Sequence, residues 1–187
     1  MKNIGIDIDG VILDTVEVYL NYIERVTGKK YCQEDITEYL FENCVDITEE
    51  EMSMALGKMI EDDIWGEIPF YPEALKSLRH IGTKKNLYII TSRPEVARES
   101  TLQWIKEHDI PVRRAVFTDM ESKLSYIKDE NIKLDCFVED RFKFALEVAG
   151  DGVKVLLVDR PWNKKYKLEN GIVRVKNWNQ ILDIIFK

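Results

Sequence analysis

Apolar residues alternate at the start of the chain, at Ile4, Ile6 and Ile8, and then close up as Val11, Ile12 and Leu13. Branched aliphatic side chains at this density predict a buried strand. The period then lengthens. Val16, Tyr19, Leu20, Ile23 and Val26 fall at helical spacing, with Asp14 and Glu17 at the start and Gly28 at the stop. Residues 29–47 are mixed and predict no definite element. Thr48 with Glu51 is a second capping-box pattern, leading into Met52, Ala55, Leu56, Met59 and Ile60. No further strand signal appears until residue 86. The stretch 65–72 marks the return from this helical region. Pro72 suits the first turn of a helix whose buried face is Ala74, Leu75, Leu78 and Ile81, and Gly82 ends it.

Beyond that point strands and helices alternate. The pattern predicts strands at 87–91, 115–118, 134–138 and 153–158, with helices at 95–108, 122–129 and 142–149 between them. Residues 178–186 close the chain as a helix packed on the body. Such alternation predicts a mostly parallel sheet covered by helices on both faces. The helical stretch after the first strand is then an insertion, placed to cap the end of that strand.

At 187 residues, 45% hydrophobic and 33% charged, the chain can bury a sizeable core as one domain with a modest insertion. A formal net charge of -7 argues against an extended nucleic-acid or anionic-membrane surface, though not against a small cationic pocket for one phosphate. Cys32, Cys44 and Cys136 are odd in number and lack metal-site spacing, so they read as small buried hydrophobes in a reducing cytoplasm. Charges interrupt the N-terminal apolar run, which argues against a signal peptide, and no stretch approaches the length of a membrane span. The expectation is a cytoplasmic protein with no membrane partner; its oligomeric state is left open.

Two acids, Asp7 and Asp9, are set into the apolar opening, and Gly10 follows at once. A central strand has no structural use for them, because burying an unpartnered charge is very costly. Their spacing puts both side chains on one face of a regular strand, and the glycine permits a sharp turn or positive φ directly afterwards. Like charges held this close call for a cation, a shared proton, or both. In parallel sheets, sites form beyond the carboxyl ends of strands. There the sequence places Thr91, Ser92 and Arg93, then Glu139, Asp140 and Arg141, with Lys123 near the start of a helix between them. Carboxylates, hydroxyls and a lysine suit phosphoryl transfer. A carboxylate can attack phosphorus and carry the group as an aspartyl phosphate. A lysine and a divalent cation neutralise the accumulated charge, and magnesium takes one or two carboxylates together with substrate oxygens and waters.

In this order the residues resemble the motifs of the haloacid dehalogenase-like (HAD) phosphatase superfamily: Asp7-Ile8-Asp9, Thr91, Lys123 and the pair Glu139 and Asp140, spread over the whole chain. The resemblance implies an α/β, Rossmann-like catalytic core at residues 1–14 and 72–187, with a small helical cap at 15–71 inserted after the first strand. It implies Asp7 as nucleophile and Asp9 as general acid/base. Magnesium would be held by Asp7, Asp140 and the backbone carbonyl of Asp9. Thr91, Ser92 and Lys123 would bind the phosphoryl group, and Glu139 would orient the metal's water shell. A closer similarity is to the 5′(3′)-deoxyribonucleotidase-like branch. It is carried by Gly10 and Val11, the return segment 68–75, Glu139-Asp140-Arg141, and Asp159-Arg160-Pro161-Trp162-Asn163. Glu139 stands where that branch usually has aspartate. Ser92-Arg93-Pro94, followed by Thr101 and Trp104, is also similar to the phosphatase domains of polynucleotide kinases.

The implied activity is a magnesium-dependent phosphomonoesterase acting on a small phosphorylated metabolite, with a 5′-nucleotide as the expected substrate. Phosphosugar and nucleic-acid-end phosphatases are the alternatives within the superfamily, and net acidity counts against the second. A catalytically weak protein that binds a phosphorylated ligand is the alternative from another class, but mere binding would not need Asp9. Arg93 and Arg141 read equally well as surface charges or phosphate contacts. Phe41, Trp65 and Phe70 either stack on a base or fill the cap core. His80 and His108 have no partner in the sequence and receive no role.

Overall fold

The computed structural model describes residues 1–119, 122–169 and 171–187. Its strands are β1 (Asn3–Ile6), β2 (Asn86–Thr91), β3 (Val112–Phe117), β4 (Cys136–Glu139), β5 (Lys154–Val158) and β6 (Ile172–Val175). They form a single sheet in the order β3-β2-β1-β4-β5-β6, with every pairing parallel. The helices are α1 (Thr15–Thr27), α2 (Glu49–Glu61), α3 (Ala74–Lys84), α4 (Arg98–Glu107), α5 (Lys123–Asp129), α6 (Phe142–Gly150) and α7 (Trp178–Phe186).

The alternation of side chains along a strand divides the core in two. Ile4, Ile6, Leu87, Ile89, Cys136 and Val138 pack with Leu78 and Ile81 of α3, Trp104 of α4 and Ile181 of α7. Ile90, Phe137, Val155 and Leu157 pack on the other side with Ile127 of α5 and Val148 of α6. The expected Rossmann-like sheet with helices on both faces is therefore present.

The details depart from the sequence reading in several places. β1 stops at Ile6, and the N–H groups of Val11, Ile12 and Leu13 all turn back to the carbonyl of Ile8. The apolar run 8–13 is thus a buried loop rather than a continuation of the strand. Pro72 lies before α3, not in its first turn, since Glu73 takes a left-handed conformation at φ 64° and the helix begins at Ala74. Gly82 does not end that helix; a Cβ there would lie 2.6 Å from the Pro111 carbonyl oxygen, so the glycine permits a close approach. β6 escaped the pattern because it is four residues long and includes Arg174, which turns to Asp159 and Asn163. Of the cysteines only Cys136 is buried; Cys44 is half-buried and Cys32 exposed.

Between β1 and α3 the chain leaves and returns side by side. Asp14 N–H donates to the Pro69 carbonyl (2.8 Å) and Tyr71 N–H to the Ile12 carbonyl (2.9 Å). The intervening α1 and α2 pack around Leu20, Ile23, Ile36, Phe41, Ile47, Ala55 and Met59. Burying a large aliphatic or aromatic side chain contributes about 1.5–3 kcal/mol, so this segment has a core of its own. The Thr48–Glu51 capping box forms in both directions and starts α2. Residues 29–47 hold short 3-10 turns at Gln33–Asp35 and Phe41–Asn43. Trp162, which follows β5, completes the cluster from the sheet side.

Candidate active site

β1 has β2 on one side and β4 on the other, so the sequence-order reversal in the sheet falls at β1 and opens a crevice at the carboxyl ends of these three strands. Asp7 follows β1, Thr91 ends β2, Glu139 ends β4, and Lys123 is the first residue of α5. All four are buried, and Asp140 with them. The Lys123 ammonium stands 2.8 Å from Asp7 Oδ1 and 2.8 Å from Glu139 Oε2. It also lies over the rings of Phe137 and Phe144, 5.7 Å and 5.2 Å from their centroids.

Each carboxylate is held differently. Both oxygens of Glu139 are engaged: Oε2 by Lys123, and Oε1 by the N–H groups of Asp140 (2.9 Å) and Arg141 (2.8 Å). Asp140 Oδ2 accepts the Trp162 indole N–H at 2.8 Å, and its backbone carbonyl accepts Asn163 Nδ2 at 2.7 Å. Gly10, at φ 76°, is required here because a Cβ would fall 2.3 Å from Asp140 Oδ2. Among the described residues, Asp7 Oδ1 is buried with no aligned hydrogen-bond donor, and the cation close to it is the Lys123 ammonium. Asp7, Glu139 and Asp140 each offer a carboxylate oxygen, all within 4.8 Å of one another, and could hold a metal ion. Glu139 already takes three donors, so Asp7 and Asp140 have more lone pairs left for a cation, while Glu139 Oε2 keeps one. Oxygen-only donors of this kind suit a hard divalent ion.

The electrostatics agree with that reading. Burial, reinforced by the Glu139 and Asp9 carboxylates, pushes Asp7 up to about 8 even though Lys123 opposes the shift. Burial and then Glu139 and Asp7 raise Asp140 well above the ordinary carboxylate range. Burial alone would lower Lys123, but Asp7 and Glu139 outweigh it and hold the ammonium protonated beyond its usual range. Crowded carboxylates that resist ionisation are relieved by a bound cation.

β1 has already ended where Asp7 and Asp9 stand, and the two acids take different partners. Asp9 turns to Arg93, whose Nη2 donates to Oδ1 (2.8 Å) and whose Nε donates to Oδ2 (2.9 Å). The Thr15 hydroxyl also donates to Oδ1. Burial opposes ionisation of Asp9, but Arg93 and Thr15 prevail and hold it below the ordinary carboxylate range. Arg93 is therefore neither a surface charge nor free for phosphate. The Thr91 hydroxyl accepts the Arg93 N–H at 3.2 Å, and the hydroxyl of the half-buried Ser92 lies 3.4 Å from that of Thr118.

The aromatic residues proposed for stacking are not brought to the acids. Phe41 packs against Tyr19 inside the insertion, Trp65 is buried beneath the Arg93 guanidinium, and Phe70 lies on Trp104 with ring centroids 5.4 Å apart. His108 meets both Phe70 and Trp104, and His80 packs on Phe186. Tyr39, partly exposed and from the segment without periodicity, lies close enough to feel the charges of Asp140 and Asp7. The Arg141 guanidinium lies 3.8 Å from its ring centroid. Desolvation pushes Tyr39 up to about 12, with Asp140 and Asp7 adding to the shift and Arg141 opposing it. Trp162 and Asn163 stood in the quoted motif but carried no role there; their contacts with Asp140 depend on the fold.

Known proteins are similar to this chain in sequence and in fold. A nucleotidase of Clostridium acetobutylicum is 25% identical over 183 residues, which cover 98% of this chain and 93% of that protein. Among solved structures, a haloacid dehalogenase-like hydrolase of Streptococcus pneumoniae superposes with a TM-score of 0.70 at 15% identity, covering 99% of this chain and 98% of that one. A HAD-superfamily hydrolase of Geobacter sulfurreducens gives a TM-score of 0.65 at 15% identity, with 98% and 99% covered. At such identities the two structures establish the fold alone. The family described as 5′ nucleotidase, deoxy (pyrimidine), cytosolic type C (NT5C) matches residues 1–187, and the chain belongs to that family, within the HAD-like hydrolases.

Proposed function

We propose that the protein is a magnesium-dependent phosphomonoesterase that hydrolyses nucleoside 5′-monophosphates through an aspartyl phosphate on Asp7. The observation that carries this reading is Asp7 Oδ1, a buried carboxylate oxygen with no aligned hydrogen-bond donor among the described residues, 2.8 Å from the Lys123 ammonium. Asp7 attacks phosphorus, the bond to the leaving oxygen breaks, and Asp9, its carboxyl raised by the negative charge of the bound phosphate against the pull of Arg93, protonates that oxygen. Asp9 then takes a proton from water as the water attacks phosphorus; the bond to Asp7 breaks, and phosphate and free Asp7 result. Lys123 neutralises the phosphoryl oxygens, and Thr91 and Ser92 line their site. Glu139 holds Lys123 and the backbone after β4 in place. Asp7 and Asp140 are the acids that would hold a magnesium ion, which would supply further charge neutralisation to those oxygens.

Residues 15–71 act as a cap on a core of 1–14 and 72–187, and the nucleoside lies toward Tyr39 and Arg141. The family match and the named nucleotidase relative support a nucleotide substrate. No helix among the described residues is long and apolar enough to cross a membrane, and the family's description as cytosolic supports a cytoplasmic location.

Phosphate release from nucleoside monophosphates, sugar phosphates and an aryl phosphate tests the substrate. Nucleotides are expected to give the highest kcat/KM, a chelator to abolish turnover, and added magnesium to restore it. Higher kcat/KM for sugar phosphates would overturn the nucleotide reading. Asp140→Asn is expected to raise the magnesium needed for half activity by at least about tenfold, since a charged hard ligand becomes neutral. An unchanged metal requirement would remove Asp140 from the ligand set.

A further inference from the structure

We infer that Arg93 is the positioning residue for the acid/base Asp9, fixing the plane of its carboxylate so that Oδ2 faces the leaving oxygen. The inference rests on the role given to Asp9 above. The Arg93 side chain is 1% exposed, whereas that of Asp9 is 30% exposed. Burying a guanidinium costs several kcal/mol unless it is fully paired, and here the pairing is directional throughout. Nη2 and Nε form a two-pronged fork on the carboxylate. Nη1 donates to the Thr101 hydroxyl (3.1 Å) and to the Trp65 carbonyl (3.4 Å). The Trp65 ring lies 5.1 Å from the guanidinium carbon, and the backbone N–H of Arg93 is tied to Thr91.

The donors are shared unequally between the two carboxylate oxygens. Oδ1 accepts from Arg93 Nη2 and Thr15, with Nε at a longer 3.3 Å, whereas among the described residues Oδ2 accepts from Nε alone. A carboxylate oxygen has two lone pairs, so Oδ2 retains the open position for giving and taking a proton. A fork of this shape can be made by arginine and not by lysine. Thr101 on α4 and Trp65 in the return of the insertion fix the guanidinium, and the guanidinium fixes the acid. Arg93 touches neither metal nor phosphate in this scheme.

The test is a double-mutant cycle on the full-length protein with magnesium, using a nucleoside monophosphate and an aryl phosphate. An aryl leaving group needs little protonation, so a residue that acts through the acid matters less for it. Asp9→Asn alone is expected to slow the nucleotide more than the aryl ester. Arg93→Lys is expected to lower kcat on the nucleotide by about 100-fold, the scale of a small misplacement of a catalytic group. KM should be nearly unchanged, and the loss on the aryl phosphate much smaller. In the Asp9→Asn background the same substitution is expected to cost less than about twofold, because residues acting as a unit are not additive. Equal losses on the two substrates, or full additivity with Asp9→Asn, would overturn the inference while leaving Asp9 as the acid. An Asp9→Asn variant as active as the parent on both substrates would overturn the acid and the inference together. Should Arg93→Lys fail to fold, Thr101→Val decides. It keeps the ion pair but removes one anchor, and the same substrate-selective, non-additive pattern is expected at a few-fold size; parent-like kinetics would overturn the inference.

Discussion

Replacing Asp7 by asparagine is expected to abolish turnover while the protein still folds. The amide is nearly isosteric, but it is a poor nucleophile and a weaker ligand for a hard cation. Loss of a nucleophile on which every other group acts costs as much as about a millionfold in a serine protease, and a loss of at least about ten-thousandfold is expected here. Stability should move the other way. The Asp7 carboxyl is shifted from 3.8 to about 8, so the folded protein binds that proton more tightly than the unfolded chain does. Its contribution is full at low pH and is lost as pH rises from 3.8 to about 8. Asparagine has no such loss. Without metal at pH 8, Asp7→Asn is expected to melt at or above the parent, with the gap closing toward pH 5. Thermal melts at the two pH values, beside phosphate release, check both halves. Phosphatase activity in Asp7→Asn well above background would contradict the nucleophile.

Lys123→Met should damage both fold and function. The ammonium is 1% exposed and is the cation shared by Asp7 and Glu139. Methionine removes the ammonium from beside both Asp7 and Glu139 and leaves Glu139 held by the N–H groups of Asp140 and Arg141. Breaking a buried pair in this way costs about 3–5 kcal/mol. The raised Lys123 contributes fully below its ordinary value of 10.5 and loses that contribution as pH rises from there through its elevated folded value, so the penalty is expected throughout the ordinary working range. Magnesium should recover part of the stability, because a ligand of the folded state stabilises by mass action. Turnover of the folded variant should still fall by about a hundred- to a thousandfold, the scale of losing one preorganised stabiliser of developing charge. Urea unfolding with and without magnesium, together with kcat, tests this. A stability within about 1 kcal/mol of the parent would show that Lys123 does not compensate the cluster.

Much of this arrangement was written in local pattern. Strands buried on both faces declare themselves as apolar runs, which is why β1, β2, β4 and β5 and the helices between them could be placed from spacing alone. The acids, hydroxyls and lysine at strand ends were legible for the same reason: a charge set into an apolar run needs an explanation. What could not be read depended on where the chain turns. Asp7 and Asp9 are two residues apart, yet the end of β1 at Ile6 sends one to Lys123 and the other to Arg93, 84 residues away. Trp162 reaches Asp140 across 22 residues while its ring fills the core of α1 and α2. Phe41, Trp65 and Phe70 were attractive by residue type, but an aromatic ring that lines a pocket and one that fills a core look alike in sequence. Tyr39 was passed over because nothing periodic surrounds it.

The covalent step on Asp7 is open to direct observation. Mixing the protein with magnesium and a nucleoside monophosphate radiolabelled in its phosphate, then quenching rapidly in acid, should trap label on the protein. The label should be labile to hydroxylamine, map to the peptide that contains Asp7, and be absent in Asp7→Asn. Full turnover by the parent with no protein-bound phosphate at any quench time, together with activity in Asp7→Asn, would contradict the account.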